Sequence, residues 1–334
     1  MAKGETTMEL PRTQRVRTPV HVCLTVDVEE EGLFSGSYPA HPASPASPAH
    51  LRRLIPLCRD HRLPLTLFCT YPVIQDPKSR EIVAWWQGEM GAELGIHLHP
   101  WNTPPLTPDD GEDPRFPRIE RLEAKLATQT RSHRELLGCT ASSFRMGRFD
   151  FRPEFAGLLP RYGLRVDSSL LPLGWSKNGP HRFLVPYEPH FLGPGFLEVP
   201  PTMTPIVPGS ELFVEKIAQW SPRIIRSLLL EGFRTIAAAG TQPTMYFGPI
   251  MRLAANLHLS RGGRFLTLYL HSSELMPGGS PLSRDLAAVD RLVDRLRRFF
   301  DGLATHHLLH GVTLSQVGEC LEDRCTVGPQ GVSQ

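Results

Sequence analysis

The sequence predicts an α/β protein built as a distorted parallel (β/α)7-type barrel. Short apolar runs alternate with segments of helical period along the 334 residues, as in repeated strand–helix units. Polar side chains follow several of these runs, and parallel barrels place their sites at the C-terminal ends of strands. We interpret residues 19–325 as one barrel domain between flexible tails at 1–18 and 326–334.

The elements follow from periodicity and from the residues that begin and end them. Apolar runs of strand length predict strands at Val20–Val26, Leu65–Cys69, Ala92–His97, Ser142–Phe144, Leu164–Asp167, Phe265–Leu270 and Gly311–Leu314. Helical spacing of apolar residues predicts helices at His50–His61, Pro77–Met90, Ile119–Leu137, Pro153–Tyr162, Ser221–Ala239 and Arg284–Leu303. The segment Leu170–Ser210 is rich in Pro and Gly, and its length predicts an irregular rim over the site.

Composition narrows the functional class. Charged residues make up 21% of the chain and the net charge is +2, so no concentrated positive charge indicates a nucleic-acid partner. No apolar run approaches the ~20 residues of an integral membrane segment, and Met1–Arg17 lacks the apolar core of an export signal. The six cysteines are scattered and are interpreted as reduced thiols, which favours a cytoplasmic location.

Two pairs of polar residues at strand ends suggest a metal site. Asp27 and Glu29 directly follow the first strand and would project to the same side of extended chain. Two such carboxylates suit a metal-bound water, one binding the cation and the other taking a proton; the alternative is an acidic surface loop. His97 and His99 alternate in the same way, and imidazole is the commonest zinc ligand.

Three further strand ends carry residues suited to acid–base chemistry. Arg145 could hold a carboxylate, and Gly147 would permit an unusual turn that aims a backbone amide at a substrate oxygen. His271 could protonate a departing amine, and Asp167 could orient His271 or Arg145. The alternatives are an ordinary turn arginine and a structural histidine.

In combination, these motifs resemble those of a known family. The order Asp-x-Glu, His-x-His-Pro, Phe-Arg-x-Gly-Arg, Val-Asp-Ser-Ser and Leu-His-Ser-Ser-Glu-Leu resembles the polysaccharide deacetylases with NodB-like domains, over about Val20 to Leu321. The forms Thr-x-Asp-x-Glu-Glu and His-Leu-His-Pro-Trp are most similar to a WalW-like bacterial branch. The resemblance implies a (β/α)7-type barrel that binds a divalent metal, zinc first, and removes acetyl groups from N-acetylated sugars.

The resemblance also implies a role for each matching residue. Asp27 matches the general base, Arg145 the arginine that steadies it, His271 the general acid and Asp167 the acidic residue of the fourth motif. We expect His271 to face Asp27 across the site, with its second ring nitrogen against a carboxylate, first of all Asp167.

The metal ligands depart from the family's usual pattern. Glu29 matches a carboxylate that is usually Asp, and His97 matches the first metal histidine. The second histidine usually stands four residues later, where this chain has Trp101. We therefore expect His99 to replace it and to face one cavity with His97 and Glu29.

The expected function is hydrolysis of an acetamide on an amino sugar of a glycan or glycolipid precursor. The backbone amide of Arg148 is a candidate oxyanion donor, and Trp101, Trp175 and Tyr187 are candidate sugar platforms. Two alternatives stay open: an amidase or deformylase acting on another C–N bond, and a non-catalytic carbohydrate-binding barrel with a degenerate metal site.

Overall fold

The computed structural model describes residues 18–43, 45–106, 113–174 and 183–322. The described strands are β1 Thr18–Val28, β2 Leu65–Cys69, β3 Glu93–Leu98, β4 Ser143–Met146, β5 Val166–Asp167, β6 His190–Gly193, β7 Phe196–Glu198, β8 Met203–Pro205, β9 Ala238–Gly240, β10 Phe265–His271 and β11 His307–Gly311. The described α-helices are α1 Ile55–His61, α2 Tyr71–Gln75, α3 Pro77–Met90, α4 Ile119–Leu137, α5 Phe155–Leu158, α6 Ser210–Gln219, α7 Arg223–Ile236, α8 Gly248–Ser260, α9 Leu286–His306 and α10 Leu314–Glu322. Short 3-10 helices lie at Leu33–Ser35, Ser47–Leu54, Gly147–Phe149, Leu159–Tyr162 and Ser272–Leu275.

The main sheet is curled and almost entirely parallel. Its strands follow the order β10-β1-β2-β3-β4-β5-β7-β6, and β11 pairs with the first half of β1. The pairing between β6 and β7 is antiparallel, whereas the other described pairs of this sheet are parallel. This arrangement, with helices between successive parallel strands, confirms the predicted distorted (β/α)7-type barrel.

A short segment after β7 joins the two ends of the curled sheet. Val199 donates its backbone N–H to the carbonyl of Asp167 at 2.8 Å, which extends the pairing of β7 with β5. Three residues later, Thr202 donates its N–H to the carbonyl of Thr267 in β10 at 2.9 Å. The Thr202 hydroxyl accepts the Thr267 N–H in return, at 2.8 Å. One threonine therefore takes the place of a strand partner and keeps β10 beside the rest of the site.

The largest apolar core lies between the sheet and the helices α1, α3 and α9. All five residues of β2 are buried, as expected for a parallel strand covered on both faces. In α9 the buried residues recur every three or four positions, for example Val289, Leu292, Leu296 and Phe299. A second cluster packs α4 and α5 against β3 and β4. These two cores hold the strand ends that carry the polar motifs.

Several predicted bounds differ from the observed ones. The expected rim Leu170–Ser210 contains β6, β7 and β8, whose few residues are too short to show a period. The predicted helix Ser221–Ala239 is α7, which begins after Pro222 and ends at Ile236. Its last residues form β9 instead, because they pair with β8. Ser221 does not cap α7, and Gly240, directly after the predicted helix, belongs to β9.

The two ends of the chain also differ from the prediction. The last strand is His307–Gly311 rather than the predicted Gly311–Leu314. It forms by pairing with β1, and its histidines interrupt the apolar run by which a strand is recognised in the sequence. Thr18, expected in the N-terminal tail, begins β1. The other residues of both predicted tails lie outside the described residues. Among the described helices, none combines the length and apolarity needed to cross a bilayer.

Candidate active site

The strand register brings the polar motifs to one end of the barrel. Asp27 of β1 is level with His271 of β10, and His97 of β3 is level with Arg145 of β4. Level residues of parallel neighbours project to the same face. Asp27, His97 and His271 border a cavity of about 730 Å³ at the C-terminal ends of the strands, together with Glu29 and His99, and Arg145 is buried behind Asp27.

Glu29, His97 and His99 form a cluster with the composition of a metal site. One ligand atom from each lies within 4.8 Å of the other two. Glu29 Oε2 is 3.5 Å from His97 Nε2 and 3.3 Å from His99 Nε2. All three side chains are buried, so the cluster is shielded from solvent except through the cavity. The structure thus brings together the three residues that the sequence analysis selected as ligands.

Hydrogen bonds at the far side of both imidazoles prepare them to bind a cation. His97 Nδ1 donates to the backbone carbonyl of Arg145 at 2.9 Å, and His99 Nδ1 donates to Glu30 Oε1 at 2.9 Å. With Nδ1 committed to these partners, the Nε2 atom of each ring is directed at Glu29 and is the atom that would bind a cation. Once Nε2 of each ring gives up its proton to a cation, two imidazoles and one carboxylate would form a ligand set that zinc accepts at catalytic sites with a further open position. The donor set therefore fits a divalent ion.

Glu30 is a buried carboxylate that the sequence analysis did not assign. Its Oε1 accepts from His99 and from Asn102 Nδ2 at 2.6 Å, and its Oε2 accepts from the Thr70 hydroxyl at 3.2 Å. Burial raises the pKa of Glu30, but the charge and hydrogen bond of His99 outweigh it and the net pKa is lowered. Glu30 thus stays ionised and orients His99. Its sequence signal was its place as the second glutamate of the Thr-x-Asp-x-Glu-Glu form, directly after Glu29.

Trp101, at the position where the second histidine was usually expected, packs against His99. The indole stacks on the His99 ring with centroids 4.2 Å apart, and its Nε1 lies 3.4 Å from Glu30 Oε1. Gly147 makes room for this stack, because a Cβ there would lie 2.6 Å from His99 Cδ2. The unusual backbone expected at Gly147 is found at the next two residues, since Arg148 and Phe149 have φ values of 62° and 53°. Such strained residues cluster at functional sites.

Arg145 and Asp27 form a buried ion pair at the base of the cavity. Arg145 Nη1 donates to Asp27 Oδ1 at 2.6 Å and to the Thr25 hydroxyl at 2.9 Å. Its Nη2 and Nε donate to the hydroxyl and carbonyl of Ser168. The second oxygen, Asp27 Oδ2, lies 3.9 Å from His97 Nε2. The guanidinium therefore fixes one carboxylate oxygen and leaves the other directed at the cluster of Glu29, His97 and His99.

His271 lies on the cavity wall close to Asp27 and within electrostatic reach of Glu29. Its Nε2 is 3.8 Å from Asp27 Oδ2, and its Nδ1 is 3.3 Å from Glu274 Oε2. Burial lowers the pKa of His271, but the negative charges of Glu29, Glu274 and Asp27 outweigh it and raise that pKa to about 10. The prediction that Asp167 is the carboxylate partner of His271 is wrong. Glu274 occupies that place, because the turn after β10 folds its carboxylate back onto the His271 backbone N–H at 2.8 Å.

Asp167 pairs with Glu198 behind Arg145. The two residues are level in β5 and β7, and both are fully buried. Asp167 Oδ1 accepts from the Ser169 hydroxyl at 2.5 Å, and Glu198 Oε1 accepts the Leu170 N–H at 3.1 Å. Burial raises both pKa values, that of Asp167 to about 7, and the negative charge of Asp167 raises that of Glu198 further. A hydrogen bond between the two carboxyl groups also raises the pKa of Glu198 and lowers that of Asp167. The shared proton therefore resides on Glu198.

Aromatic and basic side chains form the cavity rim. Arg148 donates to the Tyr38 hydroxyl, and its guanidinium lies 5.2 Å from the Tyr38 ring centre. Of the candidate platforms, Trp101 lines the cavity but is only 3% exposed. Tyr187 packs instead against a separate apolar cluster, so that expectation is wrong. Trp175 lies outside the described residues.

Replacing Glu30 with Gln should weaken metal binding. The amide cannot hold the His99 Nδ1 proton as a carboxylate does, and loss of such an outer partner lowers metal affinity by about 10–100-fold. Competition titration with a chromogenic zinc chelator measures the change. Glu93→Gln is the control, since Glu93 holds the Ser315 N–H at the opposite end of β3. Equal affinity in wild type and Glu30→Gln would contradict the role of Glu30.

The Asp167–Glu198 pair should make the fold less stable as pH rises. A carboxyl whose folded pKa is raised contributes stability below its unfolded pKa, and this contribution is lost as pH rises through the folded value. For Asp167 that window runs from 3.8 to about 7. In Glu198→Gln the decline across this window should be smaller. Urea unfolding midpoints against pH measure it, and Glu123→Gln, a partly exposed carboxylate of α4, is the control. An unchanged slope would contradict the shared proton.

Comparison with known proteins supports the fold. No family model matches the sequence, and no curated protein matches it. Among solved structures, an inferred polysaccharide deacetylase from Mycobacterium smegmatis matches with a TM-score of 0.52 at 15% identity, over 99% of both chains. At this identity the likeness establishes the fold alone.

Two other solved structures are less similar. The allantoinase Puue matches with a TM-score of 0.49 at 13% identity, over 96% of this chain and 99% of that chain. The Xyl-CE4 domain of a multidomain xylanase from the hindgut metagenome of Trinervitermes trinervoides matches with a TM-score of 0.43 at 11% identity, over 91% and 92%. These two scores add nothing to the fold assignment. The chain thus shares the barrel fold of the Mycobacterium smegmatis protein.

Proposed function

We propose that this chain is a metal-dependent deacetylase of the polysaccharide deacetylase type, which removes the N-acetyl group from an amino sugar of a glycan or glycolipid precursor. The observation that carries the proposal is the arrangement of three functions in one cavity. A ligand cluster of Glu29, His97 and His99 lies beside a carboxylate held by Arg145, and His271 lies within 3.8 Å of that carboxylate. A carbohydrate-binding protein would need neither a positioned base nor a positioned acid.

Glu29, His97 and His99 would hold the divalent ion, with zinc as the first candidate. When bound, such an ion polarises an amide carbonyl and lowers the pKa of a water molecule. The protein's own contribution is to fix the ligands. The Nδ1 bonds of His97 and His99 set both tautomers. The Glu29 backbone is held in turn by Ser272 and Ser47, whose hydroxyls contact its N–H and carbonyl.

Asp27 is the proposed general base. Its Oδ1 is occupied by the Arg145 guanidinium, so a proton from water would go to Oδ2, which faces the cavity. A base held in this way cannot rotate away from the water it activates, which makes proton transfer efficient. Arg145 acts on the reaction through Asp27 and is a positioning residue.

His271 is the proposed general acid. An amine leaves poorly unless it is protonated, and His271 Nε2 faces the cavity with a side chain that is 18% exposed. Glu274 lies against the other ring nitrogen and the backbone of the same residue. Glu274 therefore fills the positioning role that Asp167 was expected to have.

The cavity wall and rim suit a sugar. Tyr38, Phe116 and Phe149 line the cavity with Arg148, and aromatic faces pack well against the apolar side of a pyranose ring. The backbone amide of Arg148 stays our candidate for an oxyanion donor, and its left-handed conformation turns the chain at this point. Trp101 and Trp175 remain proposed substrate contacts.

Replacing Asp27 with Asn should abolish turnover and leave metal content nearly unchanged. The amide keeps the shape of the side chain but cannot accept a proton, so the rate should fall by about 10²–10⁴-fold. Acetate release from N-acetylated chitooligosaccharides measures turnover, and plasma emission spectrometry measures metal content.

Glu29→Gln serves as the matched variant, because it should lose metal and activity together. If Asp27→Asn instead lost its metal, Asp27 would be a ligand and the base would have to be reassigned. Full activity in Asp27→Asn would remove the proposed mechanism.

Replacing His271 with Ala should reduce amide hydrolysis more than ester hydrolysis. An alcohol leaves with less help than an amine, so an acetate ester depends less on a proton donor. The ratio of kcat/KM for an acetylated sugar ester to that for the N-acetyl sugar should rise by at least about tenfold. Glu274→Gln should shift this ratio in the same direction by less. Equal losses on both substrates would exclude His271 as the acid.

A further inference from the structure

A helical hairpin beside the cavity carries apolar side chains on its outward face. It consists of α6 and α7, which pack against each other, and its residues 210–236 are all described. Ala218, Leu230 and Phe233 turn inward and are buried. Eight apolar side chains that are 43% to 86% exposed form what we call the hairpin face: Leu212, Phe213, Ile217, Trp220, Ile224, Ile225, Leu228 and Ile236.

The hairpin face points away from the barrel core. In α7 the buried residues Leu230 and Phe233 lie on one side of the helix, and Ile224 and Leu228 lie on the opposite side at helical spacing. An apolar face of this extent, left uncovered, marks an interaction site. The same helix borders the candidate active site, because Arg234 lines the cavity.

We propose that the hairpin face docks on the surface of an anionic lipid bilayer. Trp220 at the turn between the helices is 86% exposed, and tryptophan prefers the membrane–water interface. Two basic residues of the hairpin, Lys216 and Arg223, are exposed, whereas Glu231 is its one exposed acidic residue. Apolar side chains with tryptophan and flanking basic residues are the composition of helices that lie in the interface.

The dimensions of the hairpin fit a helix pair lying flat on a membrane. α7 has 14 residues and is therefore about 21 Å long, shorter than the ~30 Å hydrocarbon layer. Its outward side chains would enter the headgroup and acyl boundary while Leu230 and Phe233 stay on the barrel. Docking would present the cavity to an acetylated sugar attached to a lipid, an inference that rests on the proposed function.

The experiment measures binding of the full-length protein to vesicles. The wild type should sediment with phosphatidylcholine vesicles that contain phosphatidylglycerol. The sedimented fraction should be smaller with pure phosphatidylcholine vesicles and at high salt. Replacing Ile224 and Leu228 together with Asp should weaken binding by about tenfold for each residue. Leu282→Asp is the matched control, since Leu282 is 61% exposed in the loop before α9.

Other outcomes would overturn the proposal. Failure of the wild type to bind either vesicle would exclude docking. A dimer in light scattering that the same Asp substitutions dissociate, without vesicle binding, would assign the face to a second copy of the chain.

If the double variant does not fold, tryptophan fluorescence provides a second test. Brominated lipids should quench the fluorescence of the wild type more than that of Trp220→Phe, and equal quenching would contradict docking. Hydrolysis of a soluble acetylated sugar should be unchanged in Ile224→Asp/Leu228→Asp, which separates this test from the proposed function.

Discussion

The Arg145 guanidinium is wholly buried, and its hydrogen bonds tie together the strand ends on which the rest of the site depends. It binds Asp27 and Thr25 of β1 and the backbone and hydroxyl of Ser168 after β5. The Phe68 ring of β2 lies 4.5 Å away. Removing one partner of such a pair leaves an uncompensated buried charge, at a cost of about 3–5 kcal/mol. The ion pair thus fixes geometry more than it adds stability.

The site concentrates acidic side chains around three imidazoles. Four buried carboxylates, those of Asp27, Glu29, Glu30 and Glu274, lie beside His97, His99 and His271, and the Arg145 guanidinium pairs with Asp27. Like charges in a low-dielectric site repel one another strongly unless a cation compensates them. The arrangement therefore favours a positive ion at the ligand cluster. It also favours a charged His271, as the direction of its pKa shift shows.

The sequence was sufficient for the fold class and for placing the polar motifs near the C-terminal ends of strands, because periodicity and strand alternation are local properties of the chain. Partners were harder to predict. The carboxylate beside His271 is Glu274, whereas Asp167 was expected, since only the turn after β10 decides which acid folds back. The hairpin face was equally hidden. The pattern of α7 predicts an amphipathic helix, but tertiary packing decides that Leu230 is buried and that Ile224 is exposed.

His99 lies two residues after His97, whereas the pattern considered above places the second histidine four residues after the first. His97 and His99 alternate on one extended segment with Nε2 of each directed at Glu29, and Trp101 packs against His99. A search that requires histidines four residues apart would pass over this chain, although both imidazoles reach the same carboxylate. The room for His99 depends on Gly147, far away in the sequence. A descriptor that recognises this arrangement in distant chains must therefore join the His-x-His pair to a glycine one strand away.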